Sequence, residues 1–182
     1  PAGISETVTA PSHGSTASLY PAANYEENRP IVLAEGFDPL NEYSPELLYQ
    51  SLNKTVGEGE MLDFLREDKN ISVWVINWYN GGETIENLAE DLQYLLREIN
   101  RRSNYANSTV LWGHSMGGLI SRYVLADAYD KNINLGVKKL ITYNTPHKGA
   151  WVNETLKNVL LRWSQGTSRD KLWNFLNAPA AQ

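Results

Sequence analysis

Apolar residues along the chain follow two patterns that alternate with each other. Short apolar runs occupy residues 30–34, 71–76 and 109–112, and such runs are typical of strands buried on both faces. Residues 137–143 predict a fourth strand. The stretches between these strands repeat apolar residues every three or four positions, which predicts amphipathic helices. Because strands that alternate with helices pair in parallel through right-handed crossovers, the sequence predicts an α/β fold, a parallel sheet flanked by helices on both faces.

The helical pattern is clearest over residues 84–102, where the apolar side chains lie on one face. Acidic residues stand near its start and arginines at its end, which suits the dipole of a helix. Residues 45–66 predict two short helices separated by glycines, and residues 116–129 predict another helix. A last amphipathic stretch covers residues 151–163.

These patterns divide the chain into three parts. Residues 1–29 are rich in Ala, Ser, Thr and Pro, which indicates a linker or the tail of a preceding region. Residues 30–150 hold the predicted strands and form the expected core domain. Residues 151–182 are expected to form a helical lid or cap, although a plain packing helix fits the same pattern. No apolar run is long enough to span a membrane.

Composition narrows the classes of function. The chain has 182 residues, is 42% hydrophobic and carries a net charge of −5 without a basic block, so a globular domain is predicted and nucleic acid is not an expected partner. Cysteine is absent and the three histidines are scattered, so we predict no disulfide, no metal site and no cofactor. The compartment stays open, with a secreted or cell-envelope location slightly favoured over a cytoplasmic one.

The pentapeptide at residues 113–117 has the G-x-S-x-G pattern of a nucleophile elbow. It follows a predicted strand and precedes a predicted helix, so Ser115 is expected on a sharp strand-to-helix turn. Gly113 and Gly117 are expected to be structural, because side chains there would block close packing of strand against helix. The helix N-terminus at Ser115 favours a developing negative charge. The alternative is an ordinary Gly-rich turn.

Three segments that contain candidate functional residues each follow a predicted strand. They begin at Gly36, Ser115 and His147. Because the carboxyl ends of parallel strands meet at one edge of a sheet, and ligands bind at that edge, we expect these residues to lie on the same edge.

Three motifs together resemble the α/β-hydrolase fold lipases and esterases. They are Gly-His-Ser-Met-Gly-Gly at 113–118, Glu-Gly-Phe at 35–37 and Thr-Pro-His-Lys-Gly at 145–149, in the order and spacing of that family. The resemblance implies that Ser115 is the nucleophile and that the backbone N–H groups of Phe37 and Met116 form the oxyanion hole. Glu35 stands where the family usually has histidine. A loop-stabilising role is expected for it.

The resemblance is incomplete in one respect. The family's catalytic order is serine, then an acid, then a histidine. Here no histidine follows His147, and Asp170 is the last aspartate. The resemblance gives His147 a turn role and directs His114 away from the nucleophile. Two explanations remain open: a chain without the family's strands seven and eight, or a hydrolase-like fold that has lost its triad.

The sequence therefore predicts a serine hydrolase that cleaves carboxylic esters through an acyl-enzyme on Ser115, with a small-molecule or lipid ester as substrate. The alternative is a catalytically inactive module for binding or scaffolding. We expect the isolated 182-residue chain to be inactive. We also expect a downstream segment of the same protein to supply the acid and the histidine.

Overall fold

The structure is a computed structural model that describes residues 3–24, 29–38, 41–54, 60–104 and 106–148. The predicted lid or cap at residues 151–182 lies outside the described residues. So do the glycines predicted to separate the pair of short helices.

The described residues form one six-stranded sheet. Its strands are β1 (Glu6–Thr9), β2 (Thr16–Tyr20), β3 (Ile31–Ala34), β4 (Val73–Asn77), β5 (Thr109–His114) and β6 (Val137–Tyr143). The order across the sheet is β1-β2-β4-β3-β5-β6. The strands β4, β3, β5 and β6 run parallel, and β1 and β2 are antiparallel to their neighbours. All four predicted strands are present, and they make up the parallel part.

Four helices occur in the described part of the chain. They are α1 (Pro45–Asn53), α2 (Met61–Glu67), α3 (Ile85–Arg102) and α4 (Met116–Asp130). Ser44 and Thr84 cap α1 and α3, because each hydroxyl accepts a hydrogen bond from a backbone N–H three residues later. None of these four helices offers a membrane-spanning segment.

Helices cover both faces of the sheet, which confirms the predicted α/β class. One core lies between the sheet and the pair α3 and α4, where Leu92, Leu95 and Ile120 are fully buried. A second core lies under α1 and α2, where Leu48 and Leu62 pack against the opposite sheet face. Burial of apolar side chains on both faces holds the helices in place.

The predicted linker or tail at residues 1–29 instead contains β1 and β2 among its described residues, and these strands extend the sheet as an antiparallel hairpin. Small side chains such as Ala17 and Ser18 are buried there, so the apolar pattern that marks other strands is weak. The hairpin turn is held by Asp91 of α3, whose carboxylate oxygens accept hydrogen bonds from the backbone N–H groups of His13 and Ser15.

Candidate functional site

Ser115 occupies the single residue between β5 and α4. Its backbone has φ 51° and ψ −123°, a region that residues with a side chain rarely adopt. The N–H of Ser115 donates to the carbonyl oxygen of Tyr143 at 2.9 Å, and the N–H of Gly118 donates to the carbonyl oxygen of Ser115 at 3.1 Å. These bonds fix a strained turn at the edge where the parallel strands end. The Ser115 residue is partly exposed.

The two glycines around the serine lie at backbone contacts. A Cβ on Gly113 would collide with the backbone of Gly118. A Cβ on Gly117 would collide with the carbonyl oxygens of Ala34 and Glu35. The backbones of β5, α4 and β3 therefore meet here without room for side chains, which is the spacing a sharp strand-to-helix turn needs.

The loop after β3 passes directly beside Ser115. A Cβ on Gly36 would stand 3.1 Å from Ser115 Cβ and 3.2 Å from His114 Nδ1. Phe37 follows in this loop, and Met116 is the first residue of α4. The N–H groups of a first helical turn have no partner within the helix. The structure thus brings the segments of Phe37, Ser115 and Met116 to one sheet edge.

A polar network fastens this loop to the connection between β4 and α3. The N–H of Asp38 donates to the carbonyl oxygen of Gly81 at 3.3 Å, and the Asp38 carboxylate accepts from the N–H of Tyr43 at 2.8 Å. The Asn41 amide donates to the carbonyl oxygen of Tyr79 at 2.8 Å and accepts from the N–H of Gly81 at 3.3 Å. The loop geometry is therefore set before any ligand arrives.

Glu35 anchors the start of the same loop, and only 2% of it is exposed. Its Oε2 accepts hydrogen bonds from the backbone N–H of Trp78 at 2.9 Å and from the Asn77 amide at 3.1 Å. The Trp78 indole N–H donates to the Glu35 carbonyl oxygen at 2.9 Å. Burial raises the pKa of Glu35 to about 8, with a further rise from Asp38 and opposing hydrogen bonds from Trp78 and Asn77. These contacts account for the expected loop-stabilising role.

His114 and Ser115 line the same cavity, whereas the resemblance directed His114 away from the serine. The His114 ring stacks on Tyr143 with 5.8 Å between ring centroids. Burial lowers its pKa. The neutral ring is therefore a wall of the site.

His147 lies near the same sheet edge but makes a different contact. Its Nε2 is 3.0 Å from Thr142 Oγ1, and its backbone N–H donates to the carbonyl oxygen of Thr145 at 2.9 Å. Among the described residues, no histidine is hydrogen-bonded to Ser115. The structure brings His147 to the expected edge, in a turn, without joining it to the serine.

The cavity beside Ser115 has a volume of about 160 Å³. Its lining comprises residues 35–37, Tyr43, Leu48, Ser51, Leu52, His114, Ser115 and Tyr143. The described residues contain no cluster of acidic and histidine side chains that could hold a metal ion. The arrangement offers a strained serine, a neighbouring loop of fixed geometry and a small cavity with mixed polar and apolar walls.

Sequence reasoning missed two residues of this site, Asn77 and Tyr143. Each is the last residue of its strand, and each contacts a residue at the end of a neighbouring strand. Reading the ends of all predicted parallel strands as one row would have found both.

Comparisons with known proteins agree with this fold. Residues 38–170 match the family described as PGAP1-like alpha/beta domain. A hyperthermophilic esterase from the archaeon Pyrobaculum calidifontis is 12% identical, with a TM-score of 0.58 over 95% of this chain and 56% of that one. A thermostable carboxylesterase cloned from a metagenomic library is 16% identical, with a TM-score of 0.59 over 97% and 59%.

A fungal esterase from Rhizomucor miehei is 13% identical, with a TM-score of 0.56 over 95% of this chain and 52% of that one. At such identities the likeness concerns the fold. This chain spans slightly more than half the length of these three esterases.

Proposed function

This chain belongs to the PGAP1-like alpha/beta domain family, and we propose that it is the nucleophile-bearing part of a serine hydrolase that cleaves carboxylic esters. The observation that carries the proposal is the position of Ser115. It holds a strained backbone between a buried strand and a helix, next to a cavity and a loop of fixed geometry. The fold shared with esterases is consistent with this reaction.

The proposed reaction begins when Ser115 Oγ attacks the carbonyl carbon of the ester. The N–H groups of Met116 and Phe37 stabilise the negative charge on the carbonyl oxygen, assisted by the dipole of α4. The alcohol then leaves with a proton, and the acyl group stays bonded to Ser115. Water hydrolyses this acyl-enzyme and regenerates the serine. Gly113 and Gly117 serve by keeping the turn tight enough to present Oγ.

The base that accepts the serine proton, and the acid that orients the base, belong in this proposal to a downstream segment of the same protein. The Thr142 contact of His147 supports this view, because the ring nitrogen at Nε2 is engaged away from Ser115. A serine without a base is a poor nucleophile at neutral pH. The proposed substrate is a small-molecule or lipid ester.

A catalytically inactive binding module is the second candidate. One observation favours it: no histidine hydrogen-bonds to Ser115 within the part of the chain that the structure describes. Both candidates predict the same fold, so they differ only in the reactivity of the serine.

A fluorophosphonate probe separates the two in the full natural polypeptide. We expect covalent labelling at Ser115, and loss of both labelling and ester turnover in Ser115→Ala with a nearly unchanged melting temperature. Ser121→Ala is the matched control, because Ser121 is buried in the helix that follows Ser115 and does not line the cavity beside Ser115. It should keep full turnover. Turnover that survives in Ser115→Ala would contradict the assignment, and a wild type that never labels would favour the binding module.

A further inference from the structure

Four polar or aromatic residues stand side by side at the carboxyl edge of the sheet. Ala34, which precedes Glu35, pairs with the next-to-last residue of β4 and with that of β5. Glu35 therefore comes level with the last residues of both strands, and His114 pairs with Tyr143 of β6. Residues level in neighbouring strands point to the same face, here the face under α1. This edge row consists of Asn77, Glu35, His114 and Tyr143.

Within the edge row, Glu35 has one oxygen with partners and one without. Its Oε2 accepts hydrogen bonds from Trp78 and Asn77. Its Oε1 is buried and has no hydrogen-bond partner among the described residues. A buried polar atom left unpaired is costly, and such atoms in native proteins call for a specific reason. Glu35 also lines the cavity beside Ser115, which suggests that a ligand supplies the missing partner.

We propose that Glu35 is a specificity-determining residue, whose Oε1 hydrogen-bonds to an oxygen atom in the acyl group of the ester bound at Ser115. This inference rests on the proposed function. It assigns to the site short acyl groups that carry an ether or hydroxyl oxygen, in preference to plain alkyl chains.

The size of the cavity favours a short acyl group. A cavity of about 160 Å³ is close to the engineered protein cavity of about 150 Å³ that binds benzene, so it holds roughly six heavy atoms. The acyl group is the part of the ester that enters, because it remains bonded to Ser115 while the alcohol has to leave. The apolar wall, Leu48 and Leu52 of α1, accommodates its carbon atoms.

The protonation state of Glu35 suits a donor. Burial raises its pKa to about 8, so at neutral pH the carboxyl group is mostly uncharged. Since Oε2 accepts two hydrogen bonds, the proton resides on Oε1 and can be donated. A neutral buried carboxylic acid that donates a hydrogen bond to a ligand is an established arrangement in enzymes.

The groups that face Glu35 leave this proton in place. Asp38, in the same loop, raises the pKa of Glu35 further. Burial lowers the pKa of His114, on the neighbouring strand, and so keeps its ring neutral. Tyr43 and Tyr143 are the other titratable residues of the lining, and α1 contributes Leu48, Ser51 and Leu52. No cation lines the cavity within the described part of the chain.

The test compares p-nitrophenyl methoxyacetate with p-nitrophenyl butyrate, whose acyl groups have the same number of heavy atoms. The readout is the ratio of kcat/KM for the two esters in the full natural polypeptide. We expect the ratio of methoxyacetate to butyrate to fall about tenfold in Glu35→Met relative to the wild type. Met cannot donate a hydrogen bond to the ether oxygen of the methoxyacetyl group, which is then left without a partner. Intrinsic ester reactivity cancels, because the same pair of esters is used throughout. Glu35→Gln keeps a donor and should keep most of the ratio.

Two controls separate recognition from damage to the loop. Asn77→Ala removes one donor to Oε2 and leaves Oε1 untouched, so it should slow both esters equally. The wild-type ratio should fall as pH rises above about 8, where Glu35 loses its proton, whereas the ratio of Glu35→Gln should stay flat. If Glu35→Met fails to fold, the pH profiles of the wild type and of Glu35→Gln are sufficient to test the role of Glu35.

The outcomes distinguish this inference from the proposed function. Hydrolysis of both esters with the same ratio in the wild type and Glu35→Met, or equal pH profiles in the wild type and Glu35→Gln, would overturn the role of Glu35 alone. A full polypeptide that hydrolyses neither ester would overturn the proposed function and this inference with it.

Discussion

Two buried carboxylic acids on the α1 face of the sheet have opposite surroundings. Asp63 of α2 receives hydrogen bonds from the hydroxyl of Tyr49 at 2.6 Å and the amide of Asn53 at 3.1 Å, and it pairs with Arg66 at 3.3 Å. Glu35 has donors on one oxygen, an unpaired second oxygen and no cation among the described residues. One acid is fully satisfied by the fold, and the other is not.

The pKa values of the two acids shift in opposite directions. Burial by itself raises the pKa of Asp63, but the hydrogen bonds from Tyr49 and Asn53 and the charge of Arg66 outweigh it and leave the pKa below its ordinary value. Burial dominates at Glu35 and raises its pKa to about 8. Asp63 is thus a buried anion, and Glu35 is a neutral acid at pH 7.

This contrast separates architecture from function. The Arg66 guanidinium lies 5.7 Å from the ring centroids of Tyr20 and of Tyr49, and its Nε donates to the carbonyl oxygen of Pro21 at 2.9 Å. The Asp63 cluster therefore ties α1 and α2 to the end of β2. Glu35 holds a loop beside the candidate nucleophile through Oε2, and its Oε1 is left for a hydrogen bond to a ligand. Perturbed acids in a cleft are functional candidates for this reason.

The largest expected effect comes from breaking the satisfied pair. Arg66→Met leaves the buried Asp63 charge without its cation and should lower the free energy of unfolding by about 3–5 kcal/mol. Urea unfolding of the full natural polypeptide measures this loss. Arg101→Met is the matched control, because Arg101 pairs with Glu98 on the exposed surface of α3 and should change stability by less than about 0.5 kcal/mol. Equal losses of unfolding free energy in the two variants would show that the Asp63–Arg66 pair stabilises the fold no more than a surface ion pair does.

A smaller effect is expected where the loop of Glu35 touches α4. Gly117→Ala places a Cβ against the carbonyl oxygens of Ala34 and Glu35 and should cost about 1–3 kcal/mol by overpacking. It should also slow fluorophosphonate labelling, because the turn that presents Ser115 is displaced. Gly3→Ala is the control, since a Cβ on Gly3 has no atom within 4 Å. A Gly117→Ala variant as stable as Gly3→Ala would show that the strand-to-helix turn accommodates a side chain at position 117.

Elements whose own residues carry the signal were predicted best. The strand predicted at residues 137–143 coincides with β6, and the pattern over residues 84–102 coincides with α3 and its cap at Thr84. The hairpin of β1 and β2 was missed because small and polar residues interrupt its buried apolar residues Val8, Leu19 and Tyr20, and its strands form by pairing with each other and with β4. Strand formation there depends on tertiary context, which a local pattern does not contain.

The candidate site divides along the same line. The turn at Ser115 was predicted because the flanking glycines, the strand and the helix are contiguous in the sequence. The burial of Glu35 was not, because its partners Asn77 and Trp78 lie 42 and 43 positions later in the chain. Only the parallel pairing of β3 with β4 brings them together.

The smallest effect expected of the two acids is a difference in the pH dependence of stability. Glu35 has a pKa of about 8 in the folded chain and an ordinary value of about 4.5 when unfolded. The folded state therefore holds one more proton between these values, so the stability contributed by this group is complete below pH 4.5 and is lost as pH rises toward 8. Asp63, with its lowered pKa, contributes stability that is instead lost on acidification.

Between pH 6 and pH 7 the free energy of unfolding of the wild type should fall by about 1.4 kcal/mol more than that of Glu35→Gln, which corresponds to one proton per molecule. Urea unfolding at both pH values measures the difference. Asp63→Asn is the control. The pKa of Asp63 lies below pH 6 in both the folded and the unfolded chain, so removing this carboxyl group should leave the change in unfolding free energy between pH 6 and pH 7 as it is in the wild type. A wild-type slope equal to that of Glu35→Gln would mean that Glu35 is ionised in the folded protein. Oε1 of Glu35 could then only accept hydrogen bonds. Glu35 and Asp63 would both be ionised and would differ only in their hydrogen-bond partners.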